Sequence, residues 1–432
     1  MSFAEMQKKE SFPHINSMIK TLTQRRVKLL TLAQTKGTEK YVYDAELAKK
    51  NISLLKKAFF KSRPEIFFAI KSNPHSSLLK TVTDSGVHLD ASSRRELSLA
   101  MKANPKKMIF TGPGKDEATF KAIIQASKKT KMTVHLESLH EAQLLSSLAL
   151  QAKTKIRTGV RIRTTFQSSW AKFGISIEEL RNFFTVCKKL KGIEISGIQF
   201  HISWMGEPTP VQKTLKTLSL YLKKHFSNEE LETLEFIDIG GGIVPEGNAE
   251  GLYPWNKGQV VDFGKIHKII PKILNDEFKP RYLSTKTVSH SVWGKSIEES
   301  FKKYISPICP KAALWMEPGR AISHDVMHVL LKVKDVKAPN IIIVDGGNNM
   351  VGWEKHEFFD YTPVYNLTNF SPHKEFPCLI YGSLCTPHDI WGFYLRGGQP
   401  KIGDVICMPF QGAYTNTLMQ DFIRGMPEII DL

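Results

Sequence analysis

Short runs of apolar, often β-branched residues alternate with amphipathic stretches along most of the 432-residue chain. The short runs predict buried strands, and the longer stretches predict helices because their apolar residues recur at three- and four-residue spacing. Strands that alternate with helices indicate a parallel sheet, and eight such units predict closure into a (β/α)8 TIM barrel. The eight predicted strands are residues 66–70, 87–90, 108–110, 133–136, 159–162, 197–200, 236–239 and 313–316.

Helical periodicity fills most of the intervals between these strands and also precedes the first one. The stretch from Gly242 to Ala313 is long, and we expect a helix near 266–274 and a loop insertion around 245–260 there. The other predicted helices are residues 44–60, 94–102, 117–128, 139–150, 177–190 and 211–225.

The pattern of apolar and polar residues changes after Arg320, where short apolar runs separated by Gly, Pro and Asn replace the helical periodicity. This pattern predicts a second, mostly β domain, with strands at 326–333, 340–344, 378–381 and 404–409. An N-terminal strand at 41–43 is expected to join it. The predicted domains are an N-terminal segment 1–45 that partly joins the β domain, a barrel 46–322 and the β domain 323–432.

Composition and charge argue against nucleic-acid-binding, disulfide-rich, zinc-binding, membrane and secreted proteins. The net charge of +18 comes from lysines scattered over predicted helices, which favours a solvated basic surface that can steer anionic ligands rather than a nucleic-acid-binding arm. Five cysteines without a CxxC pair indicate neither a disulfide framework nor a zinc site, and we expect no metal. No apolar run is long enough for a membrane span or resembles a secretory signal, so we expect a cytoplasmic protein without a membrane partner.

Polar or glycine-rich residues follow each predicted strand, at the end of a barrel where active sites form. A single polar strand end is usually structural, but eight of them at one rim are hard to explain by packing. In strand order they are Lys71, Asp90, Thr111 with Gly112, Glu137, Arg163, His201, Gly240 to Gly242, and Glu317 to Arg320.

These residue types favour a phosphorylated aldehyde cofactor. Glycines after the seventh and eighth strands let backbone N–H groups converge on a phosphate, and the amine of Lys71 can attack a carbonyl. Glu317 can hold a proton on a heteroaromatic nitrogen, which turns the ring into an electron sink, and His201 can lie flat against that ring. The hypothesis is a pyridoxal 5'-phosphate (PLP) enzyme with its cofactor held as a Schiff base on Lys71.

Motifs spread over nearly the whole chain resemble the fold-type III PLP-dependent amino-acid decarboxylases, group 4, which include diaminopimelate, ornithine and arginine decarboxylases. The first four are Ala69-Ile70-Lys71-Ser72-Asn73-Pro74, Phe200-His201-Ile202, Asp238-Ile239-Gly240-Gly241-Gly242 and Glu317-Pro318-Gly319-Arg320. The others are Asp90-Ala91-Ser92 with Glu96, Lys172-Phe173-Gly174, Asp345-Gly346-Gly347, Gly382-Ser383-Leu384-Cys385 with Asp389, and Gly412-Ala413-Tyr414.

The resemblance implies a role for each site residue. Lys71 would carry the cofactor, Asp90 would orient Lys71, His201 would stack on the ring and Glu317 would pair with its nitrogen. Cys385 would come from the partner subunit and return a proton to carbon after carbon dioxide leaves, which implies a homodimer. The phosphate would be held by Gly241, Gly242, Gly319, Arg320 and Tyr414, and the substrate would be met by Asp345, Thr386, His388 and Asp389.

Departures from the family pattern bear on the substrate. Diaminopimelate decarboxylases carry an Arg shortly after Asp-Gly-Gly and a Cys-Glu-Ser, whereas this chain has Asn348-Asn349 and Cys385-Thr386. Ornithine decarboxylases carry Cys-Asp, and Thr386 cannot receive an ammonium in the same way. Ser203-Trp204 stands where the family commonly has the phosphate-binding Gly-Ser. These differences favour branches acting on modified amino acids, including intermediates of carboxylate siderophores.

Three alternatives remain open on the sequence. A racemase of the same fold shares the lysine but typically pairs the ring nitrogen with Arg, so Glu317 argues against it. An inactive homologue that only binds a partner would have been free to lose Lys71, Glu317 and Cys385. A nucleic-acid-binding protein is what the charge alone would suggest, and salt-dependent retention of DNA or RNA would support it.

Overall fold

The computed structural model describes residues 13–167, 171–203, 205–245, 259–262, 281–284, 288–352 and 363–432. The chain divides into two compact units. The barrel unit comprises Lys49–Ile243 and Val288–Ile322, and the β unit comprises Met1–Ala48, Val244–Thr287 and Ser323–Leu432.

The described strands and helices are numbered in chain order. The strands are β1 (Lys40–Tyr43), β2 (Glu65–Ala69), β3 (His88–Ala91), β4 (Lys107–Phe110), β5 (Lys131–Leu136), β6 (Ile156–Arg161), β7 (Ile193–Gln199), β8 (Phe236–Asp238), β9 (Gln259–Asp262), β10 (Arg281–Ser284), β11 (Ala313–Met316), β12 (Met327–Ala338), β13 (Ile341–Val344), β14 (Val364–Asn366), β15 (Glu375–Tyr381), β16 (Ile390–Arg396), β17 (Val405–Met408) and β18 (Glu428–Asp431). The helices are α1 (Pro13–Lys36), α2 (Ala45–Ala58), α3 (Ser76–Asp84), α4 (Arg94–Lys102), α5 (Glu117–Ser127), α6 (Leu139–Gln151), α7 (Leu180–Cys187), α8 (Thr209–His225), α9 (Asn228–Leu231), α10 (His290–Tyr304) and α11 (Arg320–Ser323). None of the helices in the described ranges is long and apolar enough to cross a membrane.

Eight parallel strands close into a barrel in the order β11-β2-β3-β4-β5-β6-β7-β8, which confirms the predicted (β/α)8 architecture. Each of the eight predicted strands is present in it. One end of the barrel interior is filled by Phe67, Ile109, Phe236 and Trp315, and the last two stack at 3.8 Å between ring centroids. Gly197 makes room for this layer, because a Cβ there would lie 2.6 Å from the Phe236 ring.

The helices around the barrel follow the predicted periodicity with several differences, and α3 and α9 were not among the helices named from the sequence. The helix expected at 177–190 begins only at Leu180, because Ser176 and Glu179 bond to each other's backbone N–H groups in a turn before it. Helix α10 was not predicted, although Trp293, Ile297 and Phe301 recur every four residues and Ser289 caps its first turn. The helix expected near 266–274 lies outside the described residues, and most of the expected insertion at 245–260 does too; at its end, β9 pairs antiparallel with β10.

The β unit is built on an eight-stranded sheet in the order β13-β15-β16-β14-β17-β12-β1-β18. The predicted N-terminal strand is confirmed as β1, which runs antiparallel to β12 and parallel to β18. Helix α1 packs on this sheet through Ile15, Met18, Leu22 and Leu29, and its Arg25 donates to Asp44 at 2.7 Å. The sequence did not predict α1, β14, β16 or β18.

We expect His328 to make the β unit sensitive to acid. It is fully buried on β12 opposite Val42, and neither ring nitrogen has a hydrogen-bond partner among the described residues. Burial lowers its pKa to about 4. Below pH 6.5 the unfolded chain binds a proton here that the folded chain does not, so stability falls as the pH drops, by about 2 kcal/mol between pH 8 and pH 5.

Urea unfolding at pH 8 and pH 5 measures this effect. In His328→Leu the loss of stability at pH 5 should be smaller than in the wild type by about that amount. The exposed His225 provides the matched control, since His225→Leu should keep the wild-type loss. Equal losses in His328→Leu and the wild type would show that His328 does not titrate as described.

Candidate active site

Lys71 follows β2 in a single 3₁₀ turn, Ile70–Ser72, at the C-terminal rim of the barrel. The turn is braced from both sides: the Ser72 hydroxyl donates to the Ala69 carbonyl at 2.8 Å, and the Asn73 N–H donates to the Ile70 carbonyl at 2.9 Å. Ser72 and Asn73 are fully buried, whereas Lys71 is half-buried. The motif around Lys71 therefore holds the lysine backbone rigidly and leaves its side chain at the rim.

Asp90 ends the neighbouring strand with a carboxylate that is 1% exposed. Its Oδ1 accepts from the Thr111 hydroxyl at 2.7 Å, and its Oδ2 has no hydrogen-bond partner among the described residues. Burial and the negative charge of Glu317 raise the pKa of Asp90 to about 8, and the charge of Lys71 opposes that shift. The charges of Asp90 and Lys71 thus act on each other, and the role of Asp90 in orienting Lys71 stays a prediction.

Glu317 follows β11 and is 2% exposed. The Gln199 amide donates to its Oε1 at 3.2 Å, and His135 Nδ1 lies 3.5 Å from the same oxygen. Burial alone raises the pKa of Glu317, but the facing imidazole of His135 is the largest opposing influence, and the pKa lies well below its usual range. Glu317 is thus an ionised carboxylate in a dry surrounding, which suits a proton-carrying partner.

His201 and the glycine loop after β8 are joined by a hydrogen bond in which the Gly241 N–H donates to His201 Nδ1 at 3.0 Å. Burial lowers the pKa of His201, so the imidazole is neutral. Gly242 has φ +87°, and a Cβ there would lie 1.9 Å from the Ile202 carbonyl oxygen, so the backbone path requires glycine. The N–H of Gly241 is used by His201, and the phosphate contact of Gly241 stays a prediction.

Gly319 and Arg320 continue the same rim, where β11 passes into α11. Both are buried, Arg320 to 9% exposure. The barrel unit therefore brings together most of the residues predicted for the cofactor: Lys71, Asp90, His201, Gly241, Gly242, Glu317, Gly319 and Arg320.

A buried network of charges supports the rim, and the sequence indicated only part of it. Glu137 pairs with Arg161 at 3.2 Å and accepts the Gly174 N–H at 2.8 Å, so it fixes the Lys172-Phe173-Gly174 loop. Next to it, Lys115 and Glu141 form a buried ion pair of 2.9 Å. Arg161 and this ion pair were missed because they show no motif of their own, and only the burial of their strands and helices reveals them.

The remaining predicted residues lie in the β unit. Cys385 is exposed, and His388 is exposed three residues after it. Asp389 is 1% exposed, and its two oxygens accept the Asn348 and Leu384 N–H groups at 2.7 and 2.6 Å. The carboxylate thus ties two loops together, and its contact with substrate stays a prediction.

Three further predicted site residues, Asp345, Thr386 and Tyr414, also lie in the β unit. Asp345 accepts from the Thr38 hydroxyl and from the Lys332 N–H, so its carboxylate is used within the fold. Thr386 is half-buried, and Tyr414 is half-buried with φ +60°. Trp204, next to the altered phosphate motif, lies outside the described residues.

The barrel residues fit PLP. Asp90 Oδ2 and Gln199 Oε1 are buried polar atoms without hydrogen-bond partners in the described part of the chain. Buried polar atoms without a hydrogen-bond partner are rare in protein interiors, so they indicate that a polar group is missing here. A lysine amine, an ionised buried carboxylate and glycine-lined backbone at one rim match an aldehyde, a basic ring nitrogen and a phosphate.

Comparison with known proteins agrees with this geometry. Residues 46–324 match the family described as pyridoxal-dependent decarboxylase, pyridoxal binding domain. The chain is 28% identical to diaminopimelate decarboxylase of Aquifex aeolicus, covering 94% of this chain and 89% of that one. It is 24% identical to 2-[(L-alanin-3-ylcarbamoyl)methyl]-2-hydroxybutanedioate decarboxylase of Staphylococcus aureus, covering 93% and 95%.

A solved structure shares the fold over the same extent. Diaminopimelate decarboxylase from M. jannaschi superposes with a TM-score of 0.75 at 20% identity, covering 93% of this chain and 88% of that one. Family match, fold and rim geometry agree: this chain belongs to the pyridoxal-dependent amino-acid decarboxylases, carboxy-lyases whose cofactor is pyridoxal 5'-phosphate.

Proposed function

We propose that this enzyme removes the α-carboxylate from an amino acid built into a larger, carboxylate-bearing intermediate, rather than from free diaminopimelate or ornithine. The proposal rests on which residues occupy the two positions that would contact the distal group of the substrate in those enzymes. One is Asn348, which is buried inside the β unit, and the other is Thr386, which is uncharged.

Asn348 cannot replace the arginine of diaminopimelate decarboxylases. Its N–H donates to Asp389 Oδ1, and its side-chain amide donates to the His388 carbonyl at 2.8 Å. The two residues after it, Asn349 and Met350, are buried as well. A distal carboxylate would therefore find no cation in this turn, and Thr386 offers no charge for a distal ammonium.

The relative from Staphylococcus aureus supports the class of substrate. Its name describes an alanyl group joined through an amide to a hydroxybutanedioate, which is an amino acid carried on a polycarboxylate. The net charge of +18 fits such an anion, because a basic surface raises its encounter rate. Intermediates of carboxylate siderophores have this chemistry.

Each residue at the barrel rim has a part in the proposed reaction. When bound, PLP supplies the ring that takes up the electrons released as carbon dioxide leaves. Lys71 would hold it covalently, and Asp90 would orient Lys71. Glu317 would keep a proton at the ring nitrogen, and neutral His201 would lie against the ring. Gly242, Gly319 and Arg320 would hold the phosphate, as the resemblance also implies for Tyr414.

We further propose that the enzyme works as a homodimer in which Cys385 of the partner subunit returns the proton to carbon. Cys385 is the exposed member of the cysteines, whereas Cys187, Cys309, Cys378 and Cys407 are buried. Exposure on a loop between β15 and β16 suits a group that must reach a neighbouring molecule.

Carbon dioxide release from a set of amino acids tests the substrate. We expect kcat/KM for the citrate amide of 2,3-diaminopropionate to exceed that for meso-diaminopimelate, L-ornithine and L-lysine by about 10² or more, the difference that unpaired distal groups make. Unconjugated 2,3-diaminopropionate is the matched control for the amide. Turnover of diaminopimelate or ornithine at an equal kcat/KM would refute the proposal.

A further inference from the structure

A fully buried imidazole lies inside the barrel between two carboxylates. His135, on β5, has its Nδ1 3.5 Å from Glu317 Oε1 and its Nε2 3.8 Å from Asp238 Oδ2. Its place is built by the next strand, because a Cβ at Gly159 would lie 2.8 Å from His135 Cδ2. The ring is therefore held where each nitrogen faces one carboxylate.

This arrangement does not suit a metal ion, although the donor atoms of His135, Asp238 and Glu317 lie within 4.8 Å of one another. A single ion binds one nitrogen of an imidazole, whereas here different nitrogens face the two carboxylates. The ring is a bridge between the carboxylates, and a bridge can pass or hold a proton.

His135 is the imidazole that can donate to Glu317. His201 Nδ1 lies 3.6 Å from Glu317 Oε2, but it already accepts the Gly241 N–H and so carries no proton. Gln199 provides one donor to Oε1 at 3.2 Å. The other group that faces that oxygen is His135 Nδ1, at 3.5 Å.

The charges around the ring favour one protonation pattern. Burial raises the pKa of Asp238 well above its usual range and lowers the pKa of His135, so both groups are neutral while Glu317 is ionised. Asp238 Oδ1 accepts the Gly240 N–H, which leaves Oδ2 to carry the proton toward His135. The other charged or titratable groups that act on these three are Asp90, Lys115, Arg161 and His201, and Lys71 acts in turn on Asp90 and His201.

We propose that His135 is a positioning residue that, backed by a protonated Asp238, donates its Nδ1–H to Glu317 and keeps that carboxylate ionised and aimed at the cofactor. The inference rests on the proposed role of Glu317. With Asp238 protonated and His135 neutral, the carboxylate of Glu317 is the one negative charge among these three groups. The protonated ring nitrogen of the cofactor would neutralise it, so neither ion would be buried alone.

Two substitutions separate this role from simple packing. His135→Phe keeps an aromatic ring in the space beside Gly159 but removes the donor. His135→Asn loses volume but can still donate to Glu317 through its amide. If His135 acts as a donor, Asn is the better replacement; if it only fills space, Phe is.

The readouts are the absorbance of the bound cofactor and kcat, each followed against pH in the holoenzyme. Without the donor the Glu317 carboxylate takes up a proton at higher pH, so in His135→Phe we expect the acid limb of both profiles to rise by about one pH unit. We expect kcat at pH 7 to fall about tenfold with KM within about twofold, the loss of a hydrogen bond to a charged group. His135→Asn should keep the acid limb within about 0.3 pH units of wild type.

An acid limb that is unchanged in His135→Phe and displaced in His135→Asn would overturn the inference. Should His135→Phe not fold, the ¹³Cδ2 resonance of His135 in the histidine-labelled wild-type holoenzyme decides: the inference requires the Nδ1–H form without titration between pH 6 and pH 8. Titration near pH 6.5 would overturn it. Glu317→Gln tests the role of Glu317 separately from that of His135. If the pH profiles of absorbance and kcat were unchanged in Glu317→Gln, the role of Glu317 itself would be refuted.

Discussion

Replacing Lys71 with alanine should lower carbon dioxide release by at least about 10⁴-fold and leave the chain folded, because the covalent attachment point is lost. Lys71 is presented by a turn that Ser72 and Asn73 brace through their own hydrogen bonds, so the turn keeps these bonds when the Lys71 side chain is removed. The free energy of unfolding should therefore change by less than about 1 kcal/mol.

Borohydride reduction of the holoenzyme provides a direct measurement. Digestion and mass spectrometry should find the reduced cofactor on the peptide that contains Lys71 in the wild type and on no peptide in Lys71→Ala. The matched control is Lys80→Ala on α3, whose amine is exposed and pairs with Asp84 at 2.9 Å. Cofactor attached to another lysine, or activity within tenfold of wild type in Lys71→Ala, would contradict the assignment.

The residues that the sequence could place are those that end a strand. Lys71, Asp90, His201 and Glu317 each follow an apolar run, and parallel strands bring such positions to one rim regardless of their distance along the chain. The strand count thus predicts that four positions scattered along the chain are neighbours. This prediction of the rim residues depends on the number of strands, which short apolar runs predict well. It does not depend on the exact residue at which each strand begins or ends.

His135 could not be found in this way. Strands of a parallel barrel are buried on both faces, so the alternation that separates inside from outside is weak. Nothing in the run around His135 states which way the ring points; Gly159 on the next strand decides it. A glycine on the neighbouring strand, opposite a polar residue of a predicted barrel strand, is the signal in the sequence that favours an inward-pointing side chain.

The β unit was predicted less completely for a related reason. Strand β18 consists of four residues at the chain end and pairs with β1 nearly four hundred residues earlier. The role of Asp389 is also long-range, because one of the N–H groups that it accepts belongs to Asn348. Local patterns record turns and periods, whereas such pairings depend on closure of the whole sheet.

Cys385→Ala should lower kcat by about 10²-fold, the usual contribution of a positioned proton donor. If Cys385 of the partner subunit serves each barrel, a mixture of Lys71→Ala and Cys385→Ala chains should recover activity that neither variant has alone. Random exchange makes half of the dimers mixed, and one of their two sites is intact, so we expect about a quarter of wild-type activity. Dissociation in mild denaturant and reassociation, with a different affinity tag on each chain, gives the measurement.

A mixture of Lys71→Ala with Glu317→Gln is the control for this recovery. Both residues lie in the barrel unit of the same chain, so exchange of subunits cannot assemble an intact barrel from these two variants. Its activity should stay at the level of the separate variants. Equal recovery in the control would contradict shared sites as the cause of any recovery. No recovery in the first mixture, when both tags are found on the same dimers, would show that Cys385 acts within its own chain. In that case the site would be complete in one subunit, and the proposed dimer would have no part in the proton transfer.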